Sequence, residues 1–308
     1  MDSIGSSLNR WMDKDWKERM ARLEKEVFAY PGVIDFKRRH PHIPAEEYEK
    51  NKAALFEYKR ERSNCDACPG LENCPNLMQG YQPELMEDKG KVTVAYHRCS
   101  LKVHDDEKKK RQALIKSYYI PKEILHASFD QVDMDHESRA KAGTAALHFA
   151  STTVPGEDGQ GLYLYGKFGV GKTYIAGAIM NELAERNIGS MIVHVPDFFR
   201  EIKESLSDNT VREKVDSVKG VPVLILDDLG AESMSAWTRD DILGVILQYR
   251  MMEKLPTVYT SNYDYSELEE HLTYSQKGGN ERLKAKRIME RIRPFTEEVF
   301  MDGQNRRG

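Results

Sequence analysis

The sequence predicts an α/β chain in which a parallel sheet flanked by helices carries a phosphate-binding loop, preceded by a small helical domain built around clustered cysteines. Three observations predict it. Short apolar runs alternate with helical stretches through the second half, which calls for parallel strands with helices on both faces. One of those runs leads directly into a G-x4-G-K-[ST] loop. All four cysteines fall between Cys65 and Cys99, and more than two hundred residues follow without one.

The 308 residues suggest two domains, and 40% hydrophobic residues leave enough apolar material for a sizeable core. The expected division is a first domain over 1–105, a linker over 106–124 and a second domain over 125–308. No run approaches the ~18 apolar residues of a membrane span, and the N-terminus lacks an apolar signal region, so a cytoplasmic chain without membrane contact is expected. A net charge of -4 excludes a globally basic nucleic-acid coat and confines any such contact to a local patch.

Residues 9–30 read as an amphipathic helix with Trp16, Met20, Leu23 and Val27 on one face, stopped by Pro31-Gly32. A second helical stretch follows Pro44 and carries Tyr48, Leu55 and Tyr58 at helical spacing. Both stretches are otherwise rich in Glu, Lys and Arg. They read either as solvated helices packed by an aromatic stripe or as a docking face for a partner.

The cysteines run Cys65-x2-Cys68-x5-Cys74-x24-Cys99. A Cys-x2-Cys knuckle lets two thiolates converge on a tetrahedral ion, and a distant pair can close the site. Turn formers surround the knuckle, and Lys91–His97 alternates like a strand returning the chain to it. Disulfides and buried thiols compete with this reading, but no secretion signal favours disulfides. A closed four-cysteine structural zinc site is expected, with His97 as an alternative ligand. The charge run Asp105–Arg111 reads as a solvated helix start or linker.

In the second half, Gly161–Tyr165 is an apolar run leading into Gly166-Lys167-Phe168-Gly169-Val170-Gly171-Lys172-Thr173 and then a helical stretch. Glycines let backbone N–H groups curl around phosphate oxygens, and the helix N-terminus adds its dipole. Lys172 would neutralise the β and γ phosphates of ATP, and the Thr173 hydroxyl would complete the Mg2+ shell. Val221–Leu226 is a buried-type strand ending in Asp227 and Asp228. Asp227 is placed to hold Mg2+ through water, and Asp228 to polarise the attacking water. A third strand, Pro256–Ser261, ends at Asn262, which would orient that water; by itself, such an Asn is more often a turn residue, but its order after the other two motifs favours the sensor role. From Lys277 to Arg293 there are seven Lys/Arg against two Glu, a basic helix with Leu283, Ile288 and Ile292 inward. It reads as a solvated face or as a source of cations for a neighbour's ATP or a nucleic-acid backbone.

The P-loop, Asp227-Asp228, Asn262 and the box Arg287-Ile288-Met289-Glu290-Arg291 together resemble the AAA+ subgroup of bacterial replicative-helicase loaders that includes DnaC, with the transposition helper IstB a close relative. The cysteine-rich lobe, Gly230–Met234 and the terminal Asp302-Gly303-x-Asn305-Arg306-Arg307 resemble the DnaI type within it. The resemblance implies an AAA+ core and a cytoplasmic ATPase. Such an ATPase delivers the hexameric replicative DNA helicase onto single-stranded DNA, alongside primosome proteins and with self-assembly on the helicase. It implies a zinc-containing N-terminal domain that binds the helicase and an AAA+ domain that binds ATP and single-stranded DNA. It makes Arg291 an arginine finger acting on an adjacent copy and Arg306 a sensor arginine on the nucleotide. It places residues 120–129 over the adenine and Val195–Lys203 near DNA, where Phe198 and Phe199 would either stack on bases or fill the core. Two departures stand out. Asp228 replaces the usual Glu, retracting the carboxylate by one methylene and pointing to slow hydrolysis. Gln82 lies where the family carries a histidine ligand, which favours the four-cysteine set. The chain stops soon after the basic helix, so no helical lid domain is expected and a neighbouring copy would close over the nucleotide. Two other readings are an IstB-like transposition ATPase and a zinc-stabilised adaptor with a non-hydrolysing site.

Overall fold

Val27, Phe36, Leu55, Tyr58, Leu85 and Val92 are distant in sequence yet meet in one small core. In the computed structural model, which describes residues 14–133, 136–274 and 281–306, this core belongs to the first of two units, Met1–Lys108 and Lys109–Gly308. Among the described residues, its helical part begins with α1 (Lys14–Phe28), α2 (Pro31–Arg39), α3 (Ala45–Lys50) and α4 (Lys52–Asp66). The stripe expected on α1 is only partly realised: Val27 is buried, Met20 and Leu23 are half-buried, and Trp16 is exposed. The start of the expected helix, before Lys14, lies outside the described residues. Pro31 does more than stop α1. It opens α2 at the first helical position, where its missing N–H costs nothing. Tyr48, Leu55 and Tyr58 are buried as their spacing predicts.

The small helical domain also carries a hairpin, of which the sequence predicts only the second strand. β1 (Tyr81–Asp88) and β2 (Lys91–Arg98) form an antiparallel hairpin with Tyr81 opposite Arg98 and Asp88 opposite Lys91. β2 is the strand that the alternation of 91–97 predicts; β1, with four acids or amides and Pro83, gives little sign of itself. Proline is tolerated because a two-stranded sheet has only edges.

Residues 106–124, expected as a linker, are structured. α5 (Ser100–Leu114) has no buried residue, as its charge run predicts, and leads into β3 (Ile115–Tyr118). β3 is the edge of a six-stranded sheet in the order β3-β5-β6-β7-β4-β8. The other strands are β4 (Gly161–Gly166), β5 (Ser190–His194), β6 (Val223–Leu229), β7 (Thr257–Ser261) and β8 (Thr296–Met301). Every pairing is parallel. The inner strands are buried along nearly their whole length, as strands covered on both faces must be.

Alternate strand residues feed two cores. Leu162, Leu164, Ile192 and Ile225 face α6 (Glu137–Thr152) and α7 (Lys172–Glu185). Tyr163, Val193, Leu226 and Tyr259 pack with residues of α8 (Val195–Glu204), α9 (Val211–Lys219), α10 (Gly244–Met252), α11 (Tyr265–Thr273) and α12 (Arg282–Met289). Phe198 and Phe199 are in this second core, 2% and 3% exposed, so base stacking is not open to them. The basic helix appears as α12; its expected beginning at 277–280 lies outside the described residues. Ile288 and Ile292 point inward, but Leu283 does not: it is 66% exposed. No described helix is long and apolar enough to cross a membrane.

Candidate nucleotide-binding site

The carboxyl ends of β4, β5, β6 and β7 open on one cavity of about 620 Å³. Its polar end is the loop from β4 to α7. Gly166 has φ 143°, and a Cβ there would sit 1.9 Å from Met301 O, so the crossing of β4 and β8 admits only glycine. Gly171, with φ 97°, turns the chain into α7 and leaves that helix without a side-chain cap. The uncapped first-turn N–H groups and the helix dipole suit a phosphate.

Lys172 is buried beneath the loop. Its Nζ donates at 2.8 Å to Gly166 O, Lys167 O and Asn262 Oδ1. Phe168, Gly169, Val170, Gly171, Lys172 and Thr173 line the cavity. Gly166 and Lys167 contribute carbonyls rather than cavity wall, and the Lys167 ammonium pairs with Asp302 at 3.0 Å.

The two acids at the end of β6 have different environments. Asp227 is buried, and its Oδ1 accepts from Thr173 Oγ1 at 2.9 Å and Thr260 Oγ1 at 2.7 Å. Burial pushes its pKa up, which a cation at the Thr173–Asp227 pair would offset. A threonine hydroxyl beside a carboxylate is the donor set that Mg2+ takes in P-loop proteins, so these residues fit that ion. Asp228 takes φ 58°, left-handed backbone held by an N–H donation to Thr260 Oγ1 at 2.9 Å. Its carboxylate accepts from Asn262 Nδ2 at 3.0 Å and lies 3.9 Å from His194 Nε2. His194, then Lys172 and Asn262, hold it below the usual carboxylate range, so it is an ionised group able to polarise water. Asn262 thus sits where its place after β7 predicts.

The other end of the cavity is apolar. Ile120, Pro121, Ile124 and Val132 line it. The resemblance places residues 120–129 over the base. The structure puts the start of that segment at the cavity, while Phe129 packs against the core. Asn181 on α7 fixes the segment by donating to Leu125 O at 3.0 Å and Ala127 O at 2.9 Å.

Beside Asn181, two further participants, His194 and Arg139, carry no local sequence signal. His194 ends β5 and is held by Asp197 Oδ2 at 2.6 Å from Nδ1, which turns Nε2 toward Asp228. The neighbouring Asp228 and Asp197 carboxylates raise its pKa against burial. Buried Arg139 donates to Val170 O at 3.0 Å, supporting the loop from behind. The backbone N–H of Arg306 donates to Gly169 O at 2.9 Å, and its guanidinium pairs with Asp133 at the cavity. Arg307 lies outside the described residues. Arg291 is not at this cavity: it lies after α12, donating to Gln248 Oε1 at 2.8 Å.

The cysteines form no disulfide. Asn76 Nδ2 donates to Cys65 Sγ at 3.3 Å and Gly80 N to Cys74 Sγ at 3.5 Å, while burial pushes the Cys65 thiol up. The closed cluster expected of Cys65, Cys68, Cys74 and Cys99 is not assembled. Among the described residues, the one group of three or more His, Cys, Asp or Glu ligand atoms within 4.8 Å of one another is His40, His42 and Glu87. His97 pairs with Glu84 at 2.9 Å instead.

A family model described as IstB-like ATP binding protein matches residues 84–306, and one described as primosomal protein DnaI N-terminus matches residues 1–96. The replicative helicase loader DnaI of Bacillus subtilis (strain 168) is 43% identical over 309 residues, spanning 100% of this chain and 99% of that relative. A solved crystal structure of DnaI is 52% identical, covers 64% of this chain and 100% of its own, and has a TM-score of 0.57. The crystal structure of the DnaC helicase loader is 26% identical, covers 59% of this chain and 100% of its own, with a TM-score of 0.51. With one model matching most of the chain and a relative similar along its whole length, the chain belongs to the DnaI family of replicative helicase loaders, within the IstB-like ATP-binding proteins.

Proposed function

We propose that this protein is an ATP-dependent loader that delivers the hexameric replicative helicase onto single-stranded DNA. One observation carries the reading: a cavity joining a phosphate loop, Asp227, Asp228 and Asn262 occurs in a chain similar end to end to a helicase loader. ATP binds with its phosphates on Gly169–Thr173 and its base between Ile120, Pro121 and Ile124. A bound Mg2+ neutralises phosphate charge at Thr173 and Asp227. Asp228 polarises the attacking water and Asn262 orients it. Arg291, away from its own chain's cavity, serves the ATP of an adjacent copy assembled on the helicase, and Arg306 answers to the bound nucleotide. Single-stranded DNA follows basic side chains such as the exposed Lys286 and Arg287 of α12.

The first unit holds the helicase and meets other primosome proteins. Its match to the primosomal N-terminus supports this. The thiol spacing and the N–H donors on Cys65 and Cys74 support Zn2+ at the four cysteines, which gather around the ion when it binds. The IstB-like transposition reading accounts for residues 84–306 but leaves residues 1–96 without a task.

The test is Lys172→Ala in a reconstituted loading assay with the replicative helicase and single-stranded DNA. Loading that depends on ATP in the parent and is lost in the variant is expected. Undiminished loading would refute the ATP switch and favour the adaptor reading.

A further inference from the structure

The N-terminal unit brings together three ligand side chains that neither the cysteines nor the nucleotide site employs. His40 follows α2, its backbone N–H donating to Phe36 O at 3.0 Å. His42 comes two residues later, beyond Pro41. The hairpin then sets Glu87, near the end of β1, against both. His40 Nδ1 is 2.8 Å from Glu87 Oε2, and His42 Nε2 is 2.8 Å from Glu87 Oε1. We propose that His40, His42 and Glu87 form a binding site for a divalent transition-metal ion of the zinc class, with water completing its shell.

The donor set suits that class: two borderline imidazole nitrogens and one carboxylate oxygen are a recurring three-ligand zinc set with an open position. The geometry is near what the ion needs. Bonds of ~2.0–2.1 Å put tetrahedral ligand atoms roughly 3.4 Å apart, and the three here already lie within 4.8 Å. Side-chain rotation closes the remainder. The imidazole tautomers with the proton on the opposite ring nitrogen leave Nδ1 of His40 and Nε2 of His42 open to the ion.

The site is also backed by rigid structure. Phe36, 1% exposed in the core, stacks on the His40 ring with centroids 4.3 Å apart and an interplanar angle of 28°. Tyr48 meets Phe36 edge-on at 6.5 Å. The Tyr48 hydroxyl is buried without a hydrogen-bond partner, and burial followed by the Glu87 charge raises its pKa. Of the cations on α2, Lys37 lies over the Phe28 and Tyr48 rings at 4.3 and 4.7 Å, and Arg38 and Arg39 pair with Asp35. A bound ion would tie the α2–α3 connection to the end of β1, two segments more than forty residues apart in sequence.

The competing account is a carboxylate that merely bridges two imidazole N–H groups. Zinc titration of the metal-stripped full-length protein separates the two, comparing the parent with His40→Gln/His42→Gln and with Glu87→Gln. The parent should take up one more equivalent of Zn2+ than the double variant, and Glu87→Gln should weaken that equivalent at least about tenfold. Co2+ in the same site should give ligand-field bands without thiolate charge transfer, which sets it apart from the cysteines. Far-UV circular dichroism without metal checks folding; if the double variant is unfolded, Glu87→Gln decides. Equal stoichiometry and affinity in the parent and in the folded variants would overturn the proposal.

Discussion

The side-chain amide of Asn262 donates to Asp228 Oδ1 at 3.0 Å while its oxygen accepts from Lys172 Nζ at 2.8 Å. One residue at the end of β7 thereby sets the spacing between the acid proposed to polarise water and the cation proposed to meet phosphate. Asn262→Ala should lower ATP turnover about 100-fold, the cost of misplacing a reacting group by an ångström. Nucleotide affinity should change little, since Lys172 keeps its two carbonyl partners. Steady-state turnover beside equilibrium binding separates the two effects; a large loss of affinity with unchanged turnover would contradict this role.

Asp227 makes a different prediction because its oxygen already faces the Thr173 hydroxyl at 2.9 Å. Asp227→Asn keeps the shape and removes the charge. The gain in ATP affinity on adding Mg2+ should shrink by about tenfold or more, the scale of one charge-assisted contact. Fluorescent-nucleotide titrations with and without Mg2+ measure it. An unchanged Mg2+ increment would place the ion elsewhere.

Glu232 should make stability depend on pH. Burial pushes its carboxyl up to about 7, against the Gly230 N–H that donates to Oε2 at 2.9 Å. Its Oε1 is buried without a hydrogen-bond partner. The folded chain therefore keeps a proton that the unfolded chain releases near pH 4.5. That stabilisation is fully present below about 4.5 and is lost as pH rises through about 7, a change of about 3 kcal/mol. Glu232→Gln carries no such proton. Urea unfolding at intervals from pH 4.5 to 8 should show the parent losing stability relative to the variant; parallel curves would refute it.

Arg250 is expected to matter for the fold and not for the nucleotide. It is 1% exposed and donates to Thr257 Oγ1 and to the carbonyls of Lys219, Val221, Pro222 and Pro256, gathering the entries to β6 and β7. Arg250→Met removes those donors from buried oxygens and should destabilise by about 3 kcal/mol or more. Chemical denaturation measures the loss, and ATP affinity per folded molecule should hold.

The nucleotide site was legible where its chemistry is local. The phosphate loop is one continuous stretch, and the acids and Asn262 each end a recognisable strand. His194, Arg139 and Asn181 were not legible, because each acts through a neighbour that only the sheet order brings near. The first unit was harder to read. Tyr81–Asp88 lacks clean alternation and contains Pro83, so β1 went unseen, and with it the meeting of Glu87 with His40 and His42. The cysteine spacing was plain, but spacing does not fix convergence. Leu283 follows the same rule: its apolar character suggested a buried position that the packing of α12 does not provide.

The latch between Asn181 and the carbonyls of Leu125 and Ala127 has a wider consequence. It fastens the wall proposed for the base to the very helix whose first turn is proposed to receive the phosphates. The two ends of the cavity are thereby a ruler cut to one length. A ligand with the right ring but one phosphate fewer, or the right phosphates on a smaller ring, must leave one end of that ruler unread.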